Sequence, residues 1–300
     1  MSATTIRSML ATVLIAASCF AHASEQKVTF TVDGMKVVGT LNLPDGVKKP
    51  PAVLLLHSFG GSRDEIKIAG VNEGIYARAA RMWAQQGIAS LRIDYRFNGD
   101  SDGTFADSTL DAHVADGLAA LDYLAKSGRV DAHRLALVGW SMSGAVGSAV
   151  AGRTDHCLDA VALWNPATNM PASFAMLFGP DKMKEGLKSG DKPVTLKMPS
   201  DNEVQLKSGF FVSLFTLNAA AEIARYNGPL FVAVGTTDDI VFPQPALGQS
   251  LINYHHGEGE LFVRPMDHFF NAFQNEKQVD ELISATGAFM AKHRDRCVRK

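Results

Sequence analysis

Cysteine is scarce in these 300 residues. Cys19, Cys157 and Cys297 are the whole complement, and none stands in metal-ligand spacing. No thiolate metal centre organises the fold, and no cofactor is expected. Charge of one sign is also lacking. Lys and Arg number 29 against 31 Asp and Glu, a formal net charge of −2. That balance gives no argument for a nucleic-acid partner or an anionic membrane surface. Long apolar runs are missing from the body of the chain, as are internal repeats and low-complexity tracts. What remains is 20% charged and 46% hydrophobic, the composition of a folded globular protein. The length suits one α/β domain.

The N-terminus reads as a signal peptide over residues 1–23. Arg7 precedes an apolar run from Met9 to Phe20, and Ala21-His22-Ala23 has the small-x-small shape of a cleavage site. The run is too short to span a bilayer in the mature chain. Cleavage is expected after Ala23. Lipoprotein processing at Cys19 is the rival, although the large aliphatic residue of that pattern is absent. The mature chain is then periplasmic or secreted. In such a compartment Cys157 and Cys297 form either a disulfide or two free buried thiols.

Strand and helix signals alternate along the rest of the chain. Asp33-Gly34 marks a hairpin between 27–32 and 36–43. Buried strands are expected at 52–57, 88–93, 135–140, 158–164, 230–234 and 260–263. Helices are expected at 73–86, 109–126, 244–253 and 276–292. The pattern implies a mostly parallel sheet with helices on both faces, and ligands beyond the strands' carboxyl ends. Residues 166–227 break the alternation and are too many for a loop. They read as a cap inserted over the site, with a small hairpin within 194–206.

Gly139-Trp140-Ser141-Met142-Ser143-Gly144 lies between a strand and a small-residue helix. This is close to Gly-x-Ser-x-Gly, a strained turn that lifts a serine hydroxyl out of a parallel sheet. A serine nucleophile needs a base, and the base needs an orienting acid. In this kind of sheet the order is serine, acid, histidine. Gly235-Thr236-Thr237-Asp238-Asp239 supplies the acid, with Asp238 preferred and Asp239 the alternative. His268, just past the last strand, is the expected base. His255 and His256 read as surface residues and His293 as solvated. The backbone N–H groups of Phe59 and Met142 are the expected oxyanion donors.

With these residues in place the chain resembles the α/β-hydrolase superfamily, and within it small bacterial feruloyl and cinnamoyl esterases. His57 to Glu65 is similar to their His-Gly-Phe-x-Gly loop, and Asp94 to Gly103 to their Asp-Ser-Asp-Gly turn. Gly235 to Pro243 and Asp267-His268-Phe269-Phe270 complete the likeness. It implies Ser141 as nucleophile, His268 as base, Asp238 as acid, and a small-molecule ester as substrate. Ser58 and Ser143 stand where the family has glycine. Should either position require positive φ, the serine costs about 1 kcal/mol. Apolar cap residues Phe174, Met176, Phe178, Phe210, Phe211 and Phe215 suit an acyl or aromatic group. Phe174, Phe178 and Phe211 are the expected substrate contacts. A thioesterase, a dienelactone-type hydrolase, an acyl-aminopeptidase and a silent binding protein are the alternatives.

Overall fold

A computed structural model describes residues 24–198 and 201–297, so the expected signal segment, 1–23, lies outside the described residues. The chain opens with β1 (Ser24–Val32) and β2 (Met35–Leu43), an antiparallel hairpin. Asp33 and Gly34 both take left-handed φ, 48° and 78°, as a two-residue hairpin turn requires. Strands and helices then alternate: β3 (Ala52–Leu56), α1 (Ile75–Ala84), β4 (Ala89–Asp94), α2 (Leu110–Lys126), β5 (Leu135–Trp140), α3 (Met142–Arg153) and β6 (Leu158–Trp164). An insertion follows, with α4 (Met170–Phe178), α5 (Pro180–Lys188), β7 (Val194–Lys197), β8 (Glu203–Leu206), α6 (Ser208–Thr216) and α7 (Ala219–Ile223). The body resumes with β9 (Leu230–Gly235), α8 (Ala246–Tyr254), β10 (Gly259–Arg264) and α9 (Lys277–His293).

The main sheet runs β1-β2-β4-β3-β5-β6-β9-β10. From β4 to β10 every neighbouring pair is parallel. This is the α/β-hydrolase fold. The central strands β3, β5, β6 and β9 are buried at every position, which is why they read as unbroken apolar runs. Leu54, Leu137, Val161 and Val232 pack on one face with α2, α3 and the insertion. Val53, Val138, Ala162 and Phe231 pack on the other with α1 and α9.

The insertion is more regular than its sequence suggests. Its helices are too short to display a helical period, and side-chain caps do much of the ordering. Asn169 caps α4 by accepting from the Ala172 N–H at 3.2 Å, and Asn218 caps α7 by accepting from Ala221 at 3.1 Å. The hairpin expected within 194–206 is β7 paired with β8. α7 lies against the body, where Glu222 pairs with Arg153 of α3 at 2.5 Å.

Cys157 and Cys297 are joined in a disulfide, with Cα atoms 5.8 Å apart. It ties the start of β6 to the segment after α9. In the chain-entropy view, closing a loop of 140 residues contributes up to about 5 kcal/mol.

Candidate active site

The parallel strands carry their chemistry at their carboxyl ends. Ser141 is the turn between β5 and α3, with φ 58° and ψ −117°. A non-glycine residue held there costs about 1–2 kcal/mol and persists only where its surroundings enforce it. Here the Ser141 N–H donates to Trp164 O, and Ser141 O accepts from the Ala167 N–H, both at 2.9 Å. The turn is therefore pinned to the end of β6. Gly139 is required by contact: a Cβ there would meet Ser143 O at 2.1 Å.

His268, in the loop after β10, stands with Nε2 2.9 Å from Ser141 Oγ. Its Nδ1 is 2.8 Å from Asp238 Oδ2. The other Asp238 oxygen accepts the N–H groups of Ile240 and Val241 at 2.9 and 2.8 Å. Asp238 is buried and Asp239 is exposed, so Asp238 is the carboxylate that meets the imidazole. Asn165, unmarked by the sequence reading, holds the histidine loop. Its Nδ2 donates to Asp267 O and His268 O at 3.1 Å, and its Oδ1 accepts from the Gly235 N–H at 2.8 Å. Trp140 Nε1 also donates to His268 O, at 3.2 Å. Its strand-end position, before Pro166, was the only signal in sequence for Asn165.

The loop after β3 is held from behind. The Tyr95 N–H donates to His57 Nε2 at 3.2 Å, which leaves Nδ1–H to donate to Ser58 O at 2.8 Å. Burial lowers this imidazole to about 4, so it works as a neutral ring. Ser58 C=O and Phe59 N–H belong to one planar trans peptide and point to opposite sides. Anchoring the carbonyl therefore aims the N–H. Met142 begins α3, where N–H groups have no intrahelical acceptor. Among the described residues neither the Phe59 nor the Met142 N–H meets an acceptor.

A cavity of about 410 Å³ opens over Ser141 and His268. Phe59, Met142, Phe174, Leu177, Met198, Ile240, Val241, Phe269 and Phe273 give it an apolar wall. Phe174 is thus where it was expected. Phe178 stands one ring back, 6.1 Å from Phe59 and 5.8 Å from Phe174. Phe211 does not reach the cavity; like Phe210 it is fully buried in the core of the insertion. Met176 and Phe215 face solvent. A helix presents one side to the cavity, and apolar character alone does not say which. Leu177, on the same helix as Phe174, and Met198, Phe269 and Phe273, in loops whose facing the sequence does not show, also line the cavity without having been expected there. His255 and His293 correct an expectation: both are buried, stacked on Tyr226 at 5.7 Å and tilted against Phe289 at 4.6 Å. Among the described residues no cluster of His, Cys, Asp and Glu could hold a metal ion.

The family model described as serine aminopeptidase S33 (Hydrolase_4) matches residues 69–256, a span that includes both Ser141 and Asp238. The chain belongs to this family of α/β hydrolases. No curated protein matches it. Among solved structures it is similar to Est1E from Butyrivibrio proteoclasticus with ferulic acid bound, at 22% identity and TM-score 0.69, over 89% of this chain and 98% of that one. It is also similar to the esterase domain of a Rhodothermus marinus protein, at 22% identity and TM-score 0.65, over 90% and 99% of the two chains. The α/β hydrolase GrgF from Penicillium sp. sh18 superposes at TM-score 0.71 with 17% identity, over 90% and 99%.

The two serines that replace family glycines do not carry the expected strain, since neither Ser58 nor Ser143 has positive φ. Both are held by hydrogen bonds instead. Ser143 Oγ donates to His57 O and lies 2.7 Å from Tyr95 Oη, joining the elbow helix to the root of the loop. Ser58 meets Glu65, whose carboxyl Oε1 accepts the Ser58 N–H.

Burial pushes the Glu65 carboxyl up to about 7 from its ordinary 4.5. The unfolded chain releases this proton near pH 4.5 and the folded chain holds it to about 7. The folded state therefore binds the extra proton, and stability falls as pH rises through that window. Glu65→Gln cannot titrate. Its stability relative to wild type should rise by on the order of 3 kcal/mol between pH 4.5 and 8. Urea unfolding at both pH values measures this, and a pH-independent difference would refute it.

Proposed function

We propose that this chain is a serine hydrolase that cleaves carboxylic esters through an acyl-enzyme and works in the periplasm or outside the cell. One observation carries the reading: the unbroken line from Ser141 Oγ to His268 Nε2 and from His268 Nδ1 to Asp238, at 2.9 and 2.8 Å. A hydroxyl becomes a useful nucleophile when a base takes its proton as the carbon–oxygen bond forms. His268 takes that proton, and Asp238 orients the ring and stabilises its charged form. The negative oxygen of the tetrahedral intermediate lies toward the N–H groups of Phe59 and Met142. Collapse expels the alcohol, protonated by His268. Water then enters, deprotonated by the same imidazole, and releases the acid.

An apolar cavity suits an acyl chain or an aromatic acid better than a charged group. The likeness to Est1E with ferulic acid bound agrees with that choice. The family model's description favours a second reading, cleavage of a peptide bond next to a free amino terminus. Export is supported by Arg7, the apolar run behind it, and the Cys157–Cys297 disulfide.

Ser141→Ala should lose at least about 10⁴-fold in kcat on p-nitrophenyl esters while keeping its melting temperature. A fluorophosphonate probe should label wild type and not the variant; labelling at another serine would sink the assignment. A parallel panel of thioesters, lactones and aminoacyl amides separates the ester reading from its rivals.

Phe174→Ala should change the ranking of acyl chain lengths and leave acetyl ester rates within about five-fold, because acetyl barely reaches that wall. Phe211→Ala should instead lower stability by about 3–5 kcal/mol and leave the ranking unchanged. The reverse pattern would exchange their places. For export, protein recovered from the periplasm of a bacterial host should have an intact mass that begins at Ser24 and includes the oxidised cysteine pair. Retention of residues 1–23 would count against it.

A further inference from the structure

We propose that Glu65 is a positioning residue for the oxyanion loop, its carboxyl holding the Ser58–Phe59 peptide in the orientation that serves Ser141. The inference rests on the serine-hydrolase reading of the site.

Glu65 closes the loop that begins at His57. Its Oε1 accepts the Ser58 N–H. Ser58 is thereby held from two sides, because the His57 ring takes its carbonyl from behind. Of the two N–H donors proposed for the oxyanion formed when Ser141 attacks the substrate carbonyl, the Phe59 N–H is the one carried by a loop. It needs an external brace that the Met142 N–H, at a helix start, does not.

Several features of Glu65 oppose stability. Its backbone is left-handed, φ 62°, where a side chain costs about 1–2 kcal/mol. The residue is 8% exposed, and Oε2 has no hydrogen-bond partner among the described residues. A carboxyl in that position is expensive, and burial raises it accordingly. Among the described residues that line the cavity it is the one carboxylate. Gly61 is fitted to it: φ there is not left-handed, yet a Cβ would lie 2.8 Å from Oε2 and 2.9 Å from Oε1. A residue that is strained, desolvated and half-satisfied beside a reactive centre is retained for function more readily than for folding.

The experiment compares wild type, Glu65→Ala, Glu65→Gln and Gly61→Ala on p-nitrophenyl acetate, with thermal melts alongside. Glu65→Ala should lower kcat on the order of 10- to 100-fold with KM within about three-fold, as for an interaction made in the transition state. Its melting temperature should be no lower than wild type, which a purely structural role would not allow. Glu65→Gln keeps an acceptor for the Ser58 N–H and should restore kcat to within about five-fold of wild type. Gly61→Ala should repeat the kcat loss, because its Cβ displaces the carboxyl. Wild-type kcat in Glu65→Ala, a loss carried by KM, or a Gln variant as poor as Ala would each overturn the proposal. Should Glu65→Ala fail to fold, Gly61→Ala and Glu65→Gln decide it, and full activity in Gly61→Ala overturns it. Wild type that neither cleaves esters nor takes a fluorophosphonate at Ser141 would instead overturn the hydrolase reading beneath it.

Discussion

A β-strand that must become an α-helix within one residue, while keeping a side chain exposed above the sheet, has few backbone solutions. The left-handed conformation at Ser141 is the one used, and much of the molecule is arranged to enforce it. The N–H and C=O of Ser141 are both taken by the β6 end, at Trp164 and Ala167. Gly139 allows the helix to return across the strand. The same β6 end provides Asn165, whose amide braces the histidine loop and the end of β9 together. Four strand ends are thus fastened around one strained residue. Loosening any of them releases Ser141 toward an ordinary φ and moves its hydroxyl away from His268.

The same economy appears in the buried polar groups. His57, Tyr95 and Ser143 form a chain in which each hydrogen bond decides the next. The Tyr95 N–H fixes the His57 tautomer, the tautomer anchors the Ser58 carbonyl, and the planar peptide then aims the Phe59 N–H. In a low-dielectric interior an unmet donor or acceptor costs more than the bond returns, so such a chain persists only when complete. Ser143 in place of glycine adds a member to that chain.

Above the site, the insertion divides its aromatic residues between two tasks. Phe59 sits at the junction, with ring centroids 5.0 Å from Phe174 and 5.4 Å from Phe210. Phe174 faces the cavity and Phe210 the interior, so the cavity wall and the core of the insertion are one packed cluster. A substitution at Phe210, whose ring meets both Phe59 and Phe174, is felt at the wall through packing, whereas the Phe211 ring lies behind Phe210. Changes in chain-length preference are therefore best read beside a melting temperature.

Sequence alone determined the features that local physics sets. Fully buried strands appear as apolar runs, the Asp33-Gly34 hairpin as a turn dipeptide, and the Ser141 elbow as small residues around one serine. The order of Ser141, an acid and His268 followed from strand sequence in a parallel sheet. Facing, burial and pairing were decided by tertiary structure. Asp238 and Asp239 are chemically the same and adjacent; only the β9 turn determines which points at His268. Phe174 and Phe211 have the same side chain, and helix rotation separates wall from core. The short helices of the insertion are ordered by caps and contacts rather than by period, so their sequence shows little regularity. Cys157 and Cys297 meet because α9 returns to the start of β6. The brace at Glu65 depends on a left-handed backbone and a neighbour seven residues back, neither of which a linear reading contains.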